Sequence, residues 1–206
     1  MTMTRPTTSS AAFPDRTLVR LVPLDVGHVD HVMGWVNDPD IVGNLAAFAG
    51  TPLTRDDEVR FIERMRTSTE DRVFSIFATD SGAYLGQCGL HQIFRRSGVG
   101  RLSIIVAERH EMGRGVGSAA IAKLLDMAFA ARADGGEGLH KVWLMAFRKN
   151  ERARRTYARV GFVDEGTLRD EYFHEGTWHD MVRMAVLARE WPCPPMSVLR
   201  SASAVP

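Results

Sequence analysis

Residues 101–118 read RLSIIVAERHEMGRGVGS and carry a strand, a glycine-rich turn and the start of a helix. Arg101–Ala107 is a run of β-formers. Gly113-Arg114-Gly115-Val116-Gly117 follows as the turn. Beyond it, Ile121, Leu124, Leu125, Ala128 and Phe129 recur at i, i+3, i+4, i+7 and i+8, which is one apolar helix face. Gly135-Gly136 ends that excursion, and Lys141–Ala146 (KVWLMA) reads as a buried-type strand. A helix-length crossover between two strands makes them parallel.

Upstream, Val73–Ala78 and Tyr84–Phe94 are strands, with turns at Asp80-Ser81-Gly82 and Arg95–Gly98. These connections are too short for crossovers, so the strands form an antiparallel meander with Arg101–Ala107. Still earlier, Thr17–Leu24 holds β-formers and Asp25–Asn37 reads as a helix, broken at Asn37-Asp38-Pro39-Asp40. Thr54 with Asp56 and Asp57 marks a second helix start, continued by Val59, Ile62 and Met65. Downstream, a helix runs from Asn150 to Val160 and stops at Gly161. Two strands, Phe162–Phe173 and Trp178–Leu187, follow around a Glu175-Gly176 turn. The order βααβββαβαββ predicts a mixed α/β sheet, largely antiparallel with one parallel central pair.

The chain has 206 residues and a net charge of +1, with 45% hydrophobic and 25% charged residues. That length fits one domain, read as residues 16–191 between an N-terminal tail (1–15) and a C-terminal tail (192–206). The charge balance excludes a nucleic-acid binder with a strong basic excess. No apolar run approaches the ~20 residues of a membrane-spanning helix, so no membrane partner is expected. Two cysteines, Cys88 and Cys193, make no disulfide framework, and the N-terminus lacks the apolar core of a secretion signal. A cytoplasmic setting is expected. His28 and His31 share a helix face without a third ligand, so no metal is expected.

A strand, a glycine turn and a helix N-terminus form an anion site: unpaired N–H groups point one way and the helix dipole adds positive charge. A P-loop would need Lys-Ser or Lys-Thr after the glycines, and neither is present. Gly115-x-Gly117-x-x-Ala120 matches a dinucleotide fingerprint, and a nicotinamide-dependent oxidoreductase is one reading. That fingerprint belongs in the first unit of a parallel sheet, whereas here a meander precedes it. A coenzyme A pyrophosphate site is another reading.

Strand RLSIIVA, loop MGRGVGSAA, strand KVWLMA and helix NERARRTYARVGF resemble the acyl-CoA-binding core of the GNAT N-acetyltransferases. The family loop places Gln or Arg three positions before the glycine pair; here Met112 stands there, and residues 108–111 hold one extra residue. Trp35–Pro39, Asp164–Arg169 and Gly176–Met184 resemble the RimJ/RimL-type branch, which includes spermidine acetyltransferases. The resemblance implies a GNAT-like fold whose parallel pair splays apart, and acetyl-CoA as co-substrate. It implies that main-chain groups of Ile105, Val106 and Ala107 pair with the pantetheine. By the same resemblance, the loop Met112, Gly113, Arg114, Gly115, Val116, Gly117 and Ser118 is expected to hold the pyrophosphate. The resemblance also implies that Asn150 bonds the pantetheine arm and that Tyr157 is the general acid for the leaving thiolate. Asn150 and Tyr157 are two helical turns apart and share a face. Asn150 also reads as a plain N-cap, and Tyr157 as a core aromatic.

Residues 148–159 hold six bases and one acid, whereas residues 164–180 hold six acids and one base. A basic helix suits the phosphates of coenzyme A, with Arg155 among the binding residues; an acidic hairpin suits a cationic amine. Many relatives place a Glu early in the third meander strand, where this chain reads Gly100-Arg101-Leu102-Ser103. His91, Asp170, Glu171 and His174 are the alternatives for the base and the acceptor site. The expected activity is acetylation of a primary amine: a polyamine, an amino sugar such as an aminoglycoside, or an amino acid derivative. The alternatives are acetylation of the N-terminus of a ribosomal or other protein, and a non-catalytic acyl-CoA sensor. A homodimer is the expected assembly.

Overall fold

Val19–Pro23 (β1), Arg72–Ala78 (β2), Tyr84–Phe94 (β3), Val99–Val106 (β4), Lys141–Phe147 (β5), Val163–His174 (β6) and Thr177–Leu187 (β7) build one sheet. The strand order is β1-β2-β3-β4-β5-β7-β6. Every neighbouring pair is antiparallel except β4–β5. The computed structural model describes residues 13–43, 52–111, 113–174 and 176–192. Met112, Glu175, Cys193 and most of the two expected tails lie outside the described residues.

The parallel pair is short. Val99, Gly100 and Arg101 pair with Lys141, Val142 and Trp143, and there the ladder stops. Both strands run on: β4 stays paired to β3 as far as Val106, and β5 stays paired to β7 as far as Phe147. The sheet therefore opens into a V, with facing strand edges at residues 102–106 and 144–147.

Val116–Phe129 (α4) covers one face of the sheet, and Glu151–Val160 (α5) follows β5. Ile121, Leu124 and Leu125 pack with Leu102, Leu144 and Val182 in the main core. Val29–Met33 (α1), Pro39–Val42 (α2) and Arg55–Thr67 (α3) come between β1 and β2. Val32 and Trp35 join Tyr84, Ala107 and Ile105 in a second cluster. Alternation along β4 thus sends Leu102 and Ile104 towards α4 and Ile105 the opposite way.

One helix was expected over Asp25–Asn37, and the structure corrects this. Asp25 caps a separate 3-10 turn at Val26–His28, α1 is a single short helix, and Gly34 follows it. Asp38 then caps α2, its side chain accepting from the Asp40 N–H at 2.9 Å, with Pro39 in the first turn where its missing N–H costs nothing. The proline that stops one helix starts the next. α3 begins on a reciprocal cap: Thr54 Oγ accepts from the Asp57 N–H, and the Asp57 carboxylate accepts from the Thr54 N–H.

Gly86 lets β3 approach β4 where the V opens. Its φ is +147°, and a Cβ there would lie 2.1 Å from the Ile105 carbonyl oxygen. Gly86→Ala combines backbone strain with a main-chain clash and is expected to cost about 3 kcal/mol or more, read as a drop in the urea midpoint.

Candidate active site

The open end of the V leads into a cleft of 520 Å³. Its floor is Ile104, Ile105 and Val106 from β4. One wall is the start of α4: Gly113, Gly115, Gly117 and Ser118. Gly113 and Gly115 have φ near +90°, which a side chain resists and which turns the chain sharply into the helix. Ala119 N–H bonds back to the Gly115 carbonyl, and among the described residues the amides of Gly117 and Ser118 find no backbone acceptor. A Cβ on Gly117 would stand 3.6 Å from Val106, so this glycine is not required by space alone.

The opposite wall is α5. Asn150 caps it, its Oδ1 accepting from the Ala153 N–H at 3.1 Å, and Gly161 ends it at φ +120°. Asn150, Ala153 and Tyr157 all line the cleft. Arg152, Arg155 and Arg159 line it too, three and four residues apart along the helix. Tyr157 packs against the main core beside Phe162, 6.1 Å between ring centres. Burial pushes its phenol up to about 12, so the hydroxyl is protonated at neutral pH.

The cleft therefore gathers Ile105, Val106, Gly113, Gly115, Gly117, Ser118, Asn150, Arg155 and Tyr157. The other expected residues stand elsewhere. Ala107 is buried in the cluster beneath α1, and its N–H is spent on the Leu85 carbonyl at 2.8 Å. The Val116 side chain is in the core. Arg114 is exposed and pairs with Glu111 at 3.0 Å. Asp170 and Glu171 line a separate surface notch with Thr167, Arg169 and Asp180. His174 lies by the rings of Tyr172 and His179 towards the end of the β6–β7 hairpin. His91 lies on β3, hydrogen-bonded to Asp71 and Ser103.

The opposed charge patches meet rather than stand apart. Arg148 pairs with Asp180 at 3.1 Å and Arg154 with Asp164 at 3.0 Å. Helix periodicity explains the division: Arg154 turns to the hairpin while Arg152, Arg155 and Arg159 turn to the cleft. Periodicity could have found Arg152 and Arg159. Asp40, Ile41 and Glu111 also line the cleft, and they come from short elements that no sequence period marks.

Among the described residues no group of three or more His, Cys, Asp or Glu is placed to hold a metal. Among them, too, no helix is long and apolar enough to cross a membrane.

The cleft thus joins a splayed parallel pair, a glycine-capped helix end and a phenol in the facing wall. The chain belongs to the acetyltransferase (GNAT) domain family, whose model matches residues 18–163. It is 32% identical over 110 residues to a putative ribosomal N-acetyltransferase of Bacillus subtilis, covering 53% of this chain and 57% of that one. It is 34% identical over 88 residues to a spermidine N(1)-acetyltransferase of Vibrio cholerae, covering 43% and 47%. The chain thus spans about half the length of these two curated relatives. Its fold is similar to that of a Vibrio cholerae spermidine N-acetyltransferase solved with CoA and spermine, at a TM-score of 0.76 and 22% identity, over 85% of this chain and 98% of that one.

Proposed function

We propose that this protein transfers an acetyl group from acetyl-CoA to a primary amine. The observation that carries the reading is the cleft: an open β4 edge runs into the N-terminal end of α4, with Tyr157 in the facing wall. The residues fit the co-substrate. The free edge at Ile104–Val106 pairs with the amides of a pantetheine arm as an added strand would. The amides at the start of α4 bind the pyrophosphate. Arg152, Arg155 and Arg159 supply positive charge for the remaining phosphate. Asn150 spends its carbonyl on the helix cap and keeps its NH₂ for the arm.

The amine nitrogen forms the new C–N bond, the C–S bond breaks, and Tyr157 gives its proton to the sulfur. N–H groups of the β4 edge polarise the thioester carbonyl. The notch lined by Asp170, Glu171 and Asp180 supports a small cationic acceptor such as a polyamine, an amino sugar or an amino acid derivative. The second reading is the α-amine of a protein, favoured by the likeness to the ribosomal enzyme. A homodimer belongs to this reading, with the exposed, contacting rings of Phe173 and Trp178 as its apolar patch. So does a cytoplasmic setting.

A melting screen with coenzyme A and NAD(P), followed by thiol release from acetyl-CoA with polyamine, amino sugar, amino acid and peptide acceptors, tests the reading. Coenzyme A at a hundredfold excess over Kd is expected to stabilise the protein by about 2.7 kcal/mol. Stabilisation by NAD(P) alone, or no thiol release with any amine, overturns it. Tight binding without turnover would identify a sensor instead.

A further inference from the structure

We propose that Ser103, His91 and Asp71 form a relay that takes the proton from the acceptor amine, an inference that rests on the acetyl-transfer reading. His91 Nδ1 lies 3.0 Å from Asp71 Oδ1, and His91 Nε2 lies 2.8 Å from Ser103 Oγ. A carboxylate only accepts, so Nδ1 carries the hydrogen and Nε2 presents its lone pair to the serine hydroxyl. The direction of proton flow is therefore fixed: from Ser103 towards the ring.

The placement fits the task. Ser103 sits on the part of β4 beyond the parallel ladder, two residues before Ile105, which lines the cleft. Strand alternation puts the two side chains on one sheet face about 6.6 Å apart. That face is opposite α4, so the relay lies across the sheet from the helix whose amides face the cofactor. Gly89 pairs with Ser103 across the strands, and a Cβ on Gly89 would lie 3.0 Å from His91 Nε2. A glycine here clears the line between the imidazole and the serine.

The charged groups facing the ring are Asp71, from the α3–β2 connection, and Arg101, from β4. Burial lowers the affinity of His91 for a proton; Arg101 adds to this and Asp71 opposes it. The ring is neutral at pH 7 and ready to accept. Burial works against the Asp71 charge, but hydrogen bonds from Ser68 and His91 hold its carboxyl below the usual range. The nitrogen of an ammonium acceptor gives up two protons in becoming an amide. One passes to Ser103 Oγ while the serine's own proton passes to Nε2, and the imidazolium, held against Asp71, releases it to water. The other replaces the proton that Tyr157 gives to sulfur. His91 and Asp71 act through Ser103 as positioning residues.

Spermidine is the probe acceptor, with acetyl-CoA saturating. Wild-type turnover is expected to fall on the acid side only below about pH 6.5, the ordinary imidazole value. His91→Gln is expected to lower kcat by about 10²–10³-fold and to abolish that limb, with coenzyme A stabilisation unchanged. Asp71→Asn is expected to shift the limb, and Ser103→Ala to lower kcat by about 10²-fold. Nitrogen NMR of His91 needs no acceptor: the neutral Nδ1–H tautomer is expected at pH 7 and is lost in Asp71→Asn. A fully active His91→Gln overturns the relay. So does an imidazolium or an Nε2–H tautomer at pH 7, or an acetyl ester on Ser103. If the wild type does not acetylate spermidine, the NMR arm still decides the relay, while the amine panel decides the transfer reading.

Discussion

Tyr157→Phe is expected to lower kcat for acetyl transfer by about 10²–10⁴-fold while leaving coenzyme A binding unchanged. The substitution removes one oxygen and keeps the ring that packs on the core beside Phe162. On the acetyl-transfer reading, leaving-group protonation is lost; the cleft wall is not. The effect should therefore appear in kcat and not in the Kd for coenzyme A. The pH dependence follows from burial, which pushes the phenol up to about 12. A raised pKa keeps the proton-donating form populated from neutral pH upward. The alkaline side of the rate profile should hold until the pH nears that value. A Tyr157→Phe variant that turns over at the parental rate would remove Tyr157 from the mechanism.

Asp126→Ala is expected to destabilise the fold by about 3 kcal/mol, lowering Tm by roughly 6–12 °C. Asp126 is fully buried on α4. It accepts from the Arg16 guanidinium through both oxygens and from Trp191 Nε1 at 2.9 Å. Arg16 also lies over the rings of Phe13 and Trp191, 5.3 and 5.5 Å from their centres. One carboxylate thus ties the start of the described chain, its central helix and its far end. Removing it leaves a largely buried guanidinium without its counter-ion, and an indole N–H without its acceptor. A loss below about 1 kcal/mol would mean that water replaces the carboxylate at no great cost.

The sequence carried the fold wherever local chemistry speaks. Turn residues and β-formers marked the strands to within a few positions, and the glycine pair before an apolar helix face marked the parallel crossover. The early helices were harder. α1 and α2 are too short to show a period, and their limits come from Asp25, Gly34 and Pro39 acting one residue at a time. The cleft was legible on its loop and on one helix face, because both reduce to spacing. Asp126 was not: it sits beside the apolar stripe of α4, and its partners are 110 and 65 residues away. The Asp71–His91–Ser103 chain was hidden for a similar reason. It depends on strand register, and a register shift follows His91, where Gln92 takes φ +51°. No rule read along a single strand anticipates such a bulge.

The missing ladder between β4 and β5 offers main-chain groups to the cleft, and main-chain groups outlast substitution. Ile104, Ile105 and Val106 can be exchanged for other β-formers while the edge keeps the same donors and acceptors. Recognition written in the backbone leaves few marks in composition. On the acetyl-transfer reading, such an edge would let the surrounding side chains drift towards new acceptors without loss of the acyl donor. An alanine scan of β4 would under-report such a site for the same reason: it deletes side chains and leaves the main-chain donors and acceptors in place.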